Sequence, residues 1–100
     1  EEMLDSLTVI YSCGLGFSAR IMRIYSDECV KMGFSREDSD KISAAVFANA
    51  AIMQPFDDLE RRVATKGGAT EAGLIAMDGK ARESIHAAFG AAFEKAKPKK

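Results

Sequence analysis

The sequence predicts an all-α domain of about five to six helices, and three observations support this class. Apolar residues recur at spacings of three and four along residues 15–32 and 80–97, as they do on one face of a helix. Helix stop and start signals separate the periodic stretches, notably at Gly33, Ser35 and Pro55. Beyond the first segment, no stretch carries the β-rich alternating pattern that would extend a sheet.

Composition limits the possible functions. A chain of 100 residues with 47% hydrophobic residues forms one small domain, and its net charge of -1 gives no reason to expect nucleic acid or an anionic membrane as partner. No apolar run approaches the roughly 20 residues of a membrane span, and the start of the chain lacks a signal-peptide layout. The two cysteines form neither a disulfide framework nor a metal motif, so we expect partly buried thiols in a cytoplasmic protein.

The first segment, residues 2–12, carries both helix and strand signals. Leu4, Leu7 and Ile10 have helical spacing, whereas residues 7–11 are rich in β-forming types. The segment therefore predicts no single structure.

A glycine pattern follows, and it permits a second fold. Residues 7–19 can be interpreted as a strand followed by Gly-x-Gly-x-x-Ala, which is typical of dinucleotide-binding folds. Residues 31–38, however, supply a turn and a helix start in place of the second strand with its acidic residue. We expect instead that Gly14 and Gly16 let two helices pack closely.

Residues 15–32 predict an amphipathic helix. The positions that trace its spacing of three and four are Ile21, Ile24 or Tyr25, Glu28 and Met32. Gly33 is expected to end this helix. Ser35 and Asp38 then have the spacing of a capping box and predict the start of the next helix.

The helix predicted over residues 36–53 indicates association. From Ile42 to Met53 it carries no charge and is apolar around nearly its whole circumference. Such a helix must be covered on all sides, and a chain this short has few elements to cover it. We therefore expect a partner subunit to cover part of it; the alternative is a central helix enclosed by its own chain. Asn49 lies in this run and needs a partner for its amide if it is buried.

Two short helices and a long one complete the predicted fold. Pro55 stops the preceding helix, and Asp57 or Asp58 is expected to cap a helix that reaches Thr65. The buried pair predicted for this helix is Leu59 and Val63. Residues 69–77 predict a second short helix, with Leu74 and Met77 as its core face and Asp78-Gly79 as its end.

The last predicted helix spans residues 80–97. Its 3–4 pattern consists of Ile85, Ala88, Phe89, Ala92, Phe93 and Ala96. The remaining residues, 97–100, are expected to form a frayed tail.

The stretch Val63–Leu74 holds the candidate site. Gly67 and Gly68 allow a sharp turn and a close approach of another molecule to the main chain. A helix that starts after them would leave the N–H groups of Gly68, Ala69 and Thr70 unpaired at the positive pole of its dipole. Such an end can bind a small carboxylate or phosphate. The commoner alternative is a glycine-rich corner between helices with a threonine as N-cap.

Four short motifs can be compared with a known family. Residues 63–70 read Val-Ala-Thr-Lys-Gly-Gly-Ala-Thr, residues 4–10 read Leu-Asp-Ser-Leu-Thr-Val-Ile, residues 13–17 read Cys-Gly-Leu-Gly-Phe and residues 33–37 read Gly-Phe-Ser-Arg-Glu. They resemble four motifs of the pyrroline-5-carboxylate reductases. Residues 63–70 resemble Ser-Pro-Gly-Gly-(Thr/Ala)-Thr, and residues 4–10 resemble Met-Asp-Ala-Val-Thr-Ala-Val. Residues 13–17 resemble Ser-Gly-Pro-Ala-Tyr, and residues 33–37 resemble Gly-Leu-Pro-Arg-Glu. All four motifs belong to the C-terminal dimerisation domain of that family, and the resemblance covers essentially the whole chain.

The resemblance implies a fold and a function. It implies an interlocked homodimer of helical domains, similar to the C-terminal domain of 6-phosphogluconate dehydrogenase. The parent enzyme would use NAD(P)H to reduce a cyclic imine acid to proline, with the substrate carboxylate held at the dimer interface. Carried over by position, the substrate-binding residues are Thr65, Gly67, Gly68, Ala69 and Thr70. Thr70 is also the catalytic candidate, because the family's last hydroxyl is proposed to hydrogen-bond or help protonate the ring nitrogen.

Two departures from the family pattern affect the site. Lys66 replaces a proline, which loosens the loop and adds a cation, and Leu15-Gly16-Phe17 replaces Pro-Ala-Tyr. A related imine acid therefore stays open as the substrate.

The chain is expected to form one helical domain over residues 1–100, without the family's N-terminal nucleotide-binding domain. It should then bind no cofactor alone and catalyse no hydride transfer, and we identify no metal site. The competing function is a stand-alone homodimerisation module that binds no small acid. The other candidate side chains read as structural: His86 and the carboxylates Asp57, Asp58 and Glu60 as surface groups, and Cys13 as a thiol without a base.

Overall fold

The computed structural model describes residues 6–96, and every regular element in that range is helical. A π-helical segment, Val9–Cys13, continues directly into α1, Gly14–Lys31. The later helices are α2, Arg36–Ala51; α3, Phe56–Val63; α4, Ala69–Met77; and α5, Lys80–Ala96. The prediction of an all-α domain with five to six helices is confirmed. Leu4 and the predicted tail at residues 97–100 lie outside the described residues.

The mixed signals of the first segment resolve as helix. Residues 6–8 are helical, and the Gly14 N–H donates to the carbonyl oxygen of Val9, five residues back, which is the π pattern. Val9 is 1% exposed and the segment packs against α5, so packing outweighs the low helix propensity of its β-branched residues. Because residues 7–19 form no strand, the dinucleotide-binding alternative is wrong.

The junction between α1 and α2 follows the predicted stop and start signals. Gly33 has φ 112°, its N–H donates to Val30 O at 2.9 Å, and the Phe34 N–H donates to Cys29 O at 3.2 Å. These two bonds form a Schellman motif. Ser35 then accepts the Asp38 N–H on its Oγ at 3.1 Å and caps α2. Both predicted boundaries are confirmed.

The structure divides into two compact units, which we call the terminal unit (residues 6–19 and 77–96) and the central unit (residues 20–76). In the terminal unit, the ring centroids of Phe17 and Phe89 lie 5.6 Å apart, and those of Phe89 and Phe93 lie 6.5 Å apart. Tilted pairs at these distances are favourable aromatic contacts. The aromatic half of the predicted α5 face therefore packs within its own unit.

In the central unit, α1 and α2 meet through small polar residues that the sequence pattern did not single out. Ser26, Ser39 and Ser43 are at most 2% exposed, and the Ser43 hydroxyl donates to Met22 O at 2.8 Å. Such side chains let two helix backbones approach closely. Tyr25 and Phe47 close one side of this contact, with ring centroids 5.5 Å apart and planes at 88°.

A charged cluster holds the same two helices together. Arg36 donates to Ser26 Oγ at 2.9 Å and to Asp27 Oδ1 at 2.8 Å, while Ser26 donates to Asp40 Oδ1 at 2.6 Å. Arg36 is the arginine of the Gly-Phe-Ser-Arg-Glu motif, so that motif supplies both a helix end and an interhelical clamp. Nearby, the Glu28 carboxylate accepts a hydrogen bond from Lys31 and raises the pKa of its ammonium group.

Most large apolar side chains are not covered by their own chain. Among the described residues only Val9 and Cys29 are buried and hydrophobic, whereas seventeen large hydrophobic residues are exposed. On the charge-free part of α2, Val46 is 41% exposed, and Ile52, which follows the last residue of the helix, is 80% exposed. The alternative of a helix enclosed by its own chain is therefore wrong, and Asn49 is exposed as well.

The short helices depart from prediction in their caps and faces. The N-cap of α3 is Pro55 without a side-chain bond, and Asp57 instead accepts the N–H of Asp58, so the predicted aspartate caps are wrong. The helix ends at Val63, before the predicted Thr65. Leu59 and Leu74 are half-buried, but Val63 is 52% and Met77 is 55% exposed. Periodicity locates these apolar faces without indicating which chain covers them.

Candidate functional site

The candidate site is the connection between α3 and α4, residues 64–71, which we call the glycine corner. After α3, Ala64 is extended, with φ -99° and ψ 95°. The Gly68 N–H then donates to Thr65 O at 2.8 Å and closes a tight turn, and the Ala72 N–H donates to Gly68 O at 3.1 Å and opens α4. The corner lies wholly in the central unit.

Each glycine of the corner is required for a different reason. Gly67 has φ 75°, a left-handed conformation in which a side chain is strained. At Gly68, a Cβ would lie 3.0 Å from Thr65 O and 3.4 Å from Thr65 Cβ, so a side chain there would press on the turn itself. The Gly-Gly pair is thus dictated by the backbone path.

The backbone donors of the corner differ from the predicted set. We expected unpaired N–H groups on Gly68, Ala69 and Thr70, but the Gly68 N–H is already bonded to Thr65 O. Because Ala72 makes the first bond of α4, the N–H groups of Ala69, Thr70 and Glu71 have no acceptor among residues 6–96. The N-cap is Gly68, so the predicted threonine N-cap is wrong, whereas the glycine-rich corner between two helices is as predicted.

The side chains of the corner lie mostly in the open. Thr65, Lys66 and Thr70 are exposed, and their polar side-chain atoms form no hydrogen bond or ion pair with any described residue. The structure therefore brings three backbone donors, two hydroxyls and one ammonium group into a single connection of the chain. Gly67 and Ala69 contribute only backbone atoms.

Glu71 is a member of the corner that sequence reasoning missed. Its carboxylate Oε1 accepts the Gly67 N–H at 2.8 Å, reaching back across the turn from the first turn of α4. A glutamate three residues after an N-cap has the spacing of a capping box, although here it bonds the N–H of Gly67, one residue before the N-cap Gly68. The helix end therefore already holds one anionic group of its own.

Elsewhere in the described chain we find no other candidate for a catalytic site. His86 is exposed on α5, beside an open groove whose other lining residues are Ala81, Arg82, Ile85 and Phe89. Cys13 and Cys29 are free thiols. Asp57 and Asp58 pair with Arg61 and Arg62 on the surface of α3.

Residues 6–96 contain neither a cluster of metal ligands nor a membrane-spanning helix. Within that range, no three His, Cys, Asp or Glu side chains come together as a metal site would require. No helix among these residues combines the length and the apolar character needed to cross a bilayer.

Comparison with known proteins gives a consistent result. The family model for pyrroline-5-carboxylate reductase dimerisation matches residues 1–99. The chain is 36% identical, over 84 residues, to pyrroline-5-carboxylate reductase 2 of Dictyostelium discoideum, an alignment that covers 78% of this chain and 28% of that protein. The crystal structure of Plasmodium falciparum pyrroline carboxylate reductase with NADP bound superposes with a TM-score of 0.87 at 27% identity, covering 96% of this chain and 39% of that one. The chain thus spans less than half the length of these relatives.

Proposed function

The chain belongs to the pyrroline-5-carboxylate reductase dimerisation family, and from this premise we propose that it is the C-terminal dimerisation and substrate-binding domain of an NAD(P)H-dependent reductase of cyclic imine acids, acting in proline biosynthesis. The observation that carries the substrate-binding half of the proposal is the set of three unpaired N–H groups at the exposed start of α4. In this proposal the protein works in the cytoplasm, in keeping with its free thiols.

The chemistry of the corner suits a small carboxylate. Backbone N–H groups at a helix N-terminus and the positive pole of the dipole favour an anion together. The N–H groups of Ala69 and Thr70 would bind the carboxylate, with Thr65 and Lys66 alongside. Gly67 and Gly68 would let the ligand approach the main chain without a side chain in its path.

Thr70 is the proposed catalytic residue. Thr70 is the second residue of α4 and is exposed. Its hydroxyl has no hydrogen-bond partner in the described chain, so the hydroxyl is available to a ligand held at the same helix end. A hydroxyl can donate to or accept from a ring nitrogen according to the protonation of that nitrogen. Thr70 would orient the imine and support its protonation, a role that a valine could not fill.

The exposed apolar surface supports the dimerisation half of the proposal. Seventeen exposed large hydrophobic residues, on a chain with two buried ones in residues 6–96, need cover from a second surface. A second copy in the homodimer would provide it, and the acid would bind where the two copies meet. Residues 14–19 are helical and form no phosphate-binding turn, so we assign NAD(P)H to no residue of this range. The nucleotide would bind elsewhere in the parent enzyme, and these 100 residues alone would catalyse no hydride transfer.

Titration of the isotope-labelled 100-residue chain with L-proline tests the proposal. We expect the amide resonances of Ala69, Thr70 and Glu71 to shift in a saturable way. L-Prolinamide, which keeps the ring and nitrogen but not the carboxylate, should leave them unchanged. A folded, dimeric chain whose corner amides ignore proline up to its solubility limit would instead be the stand-alone homodimerisation module.

A further inference from the structure

We infer that Glu71 acts as an internal anion of the glycine corner: its carboxylate binds the Gly67 N–H beside the start of α4, and a bound acid must compete with it. This inference rests on the proposed function, because it concerns the same site. It concerns a residue outside the family signature carried over to Thr65, Gly67, Gly68, Ala69 and Thr70.

The contact itself is well formed. Glu71 Oε1 lies 2.8 Å from the Gly67 nitrogen, a length typical of a hydrogen bond to an ionised acceptor. The bond joins the first turn of α4 to the left-handed Gly67 and lies at the surface, although Glu71 as a residue is half-buried. The corner therefore carries a carboxylate that is bonded to its own backbone.

A ligand carboxylate would meet this charge directly. The available N–H groups of Ala69 and Thr70 precede Glu71 in the same turn, so both carboxylates would share one positive pole. Two like charges at such a site repel each other. The neighbouring cation, Lys66, forms no ion pair with any described residue, so no contact holds its ammonium group between the two carboxylates. Binding of the acid would then displace the Glu71 carboxylate from Gly67, and this displacement lowers the affinity for the acid.

The test compares L-proline affinity in the wild-type chain and in Glu71→Gln, read at the Ala69 and Thr70 amides. Gln keeps the size and an acceptor oxygen but removes the charge. We expect proline to bind about two- to fivefold more tightly to Glu71→Gln, the effect of one surface charge at a helix end. Glu83→Gln is the matched control: Glu83 has the same chemistry in the first turn of another helix, α5, and the variant should leave the affinity unchanged.

A measurement on the wild-type chain keeps the inference testable if Glu71→Gln does not fold. At proline saturation the Gly67 amide and the Glu71 carboxyl carbon should shift together, because their bond is broken. Equal or weaker binding by folded Glu71→Gln, or an unmoved Gly67 amide at saturation, would overturn the inference and leave the acid site in place. Corner amides that ignore proline in every variant would overturn the inference and the proposed function together.

Discussion

Ile52→Lys is expected to weaken self-association of the chain without unfolding its helices. Ile52 follows the last residue of α2 and is 80% exposed in the single chain, so the substitution removes little packing there. If the partner subunit covers this surface, each copy of the variant loses most of the burial of one isoleucine side chain. Each copy also brings a positive charge into the interface.

The expected loss of dimer stability follows from the exposed fraction of Ile52. Complete burial of an isoleucine side chain is worth about 1.5–3 kcal/mol, so the exposed part is worth roughly 1.2–2.4 kcal/mol. A two-fold symmetric interface contains the position twice, which gives about 2.4–4.8 kcal/mol. At about 1.4 kcal/mol per factor of ten, the dimer dissociation constant should rise roughly 50- to 2,700-fold, before any cost of burying the ammonium group.

Sedimentation equilibrium over a wide concentration range measures this constant, and circular dichroism reports helix content in the same samples. Gln54→Lys is the matched control, since it adds the same charge two residues along on a side chain that is already polar and exposed. The reasoning is refuted if Ile52→Lys associates as tightly as the wild type. It is equally refuted if the wild-type chain is a folded monomer at millimolar concentration.

Four further outcomes are expected. Ser39→Ala should be neutral or slightly stabilising in urea unfolding, because the buried Ser39 Oγ has no hydrogen-bond partner, whereas Ser26→Ala should cost about 1–3 kcal/mol by leaving Arg36 and Asp40 without their shared hydroxyl. Gly67→Ala should cost about 1–2 kcal/mol in the same assay, because φ is 75° there. Thr70→Val should weaken proline binding by about two- to tenfold, the loss of one hydrogen bond, with an unchanged circular dichroism spectrum. The melting temperature of the wild-type chain should rise with protein concentration in calorimetry, and a constant value would contradict coupled folding and association.

Local signals in the sequence were sufficient for several helix boundaries, although α2 and α3 each end two residues before their predicted ends. The range of α4 was predicted to the residue, because Gly67-Gly68 and Asp78-Gly79 permit backbone angles that other residues disfavour. The end of α1 at Gly33 was predictable for the same reason. By contrast, the caps of α3 were predicted wrongly because Pro55 can itself precede a helix, and two aspartates beyond it offered equally good capping chemistry.

Burial was much less predictable than secondary structure. The apolar spacing of Ile21 and Ile24 marked one face of α1, yet these side chains are 38% and 51% exposed. Periodicity reports that a face needs cover, and it is silent on whether the same chain supplies it. Ser39 and Ser43 were missed for the opposite reason, since small polar residues are common on surfaces and only the close approach of two helices hides them.

The sequence correctly predicted a glycine turn followed by a helix start at residues 67–69, but the unpaired donors were predicted wrongly. Counting from the helix start placed three free N–H groups at Gly68, Ala69 and Thr70, one residue too early, because the turn uses the Gly68 N–H for itself. Which donors a corner consumes depends on turn geometry that a Gly-Gly pair leaves open. The role of Glu71 followed from the same geometry, since its carboxylate reaches Gly67 only once the turn is closed.

The two halves of the proposed function depend on each other physically. Helices α3 and α4, which hold the glycine corner, contain no buried residue in the single chain. Leu59 and Leu74 are half-buried and Val63 is 52% exposed, so little apolar packing fixes the two helices that flank the corner. A hydrogen-bonded turn without a packed base opens readily in water, because conformational entropy opposes it. Burial of these helices against a second copy would hold the N–H groups of the corner in one arrangement, so association would pre-organise the acid site as well as complete the core.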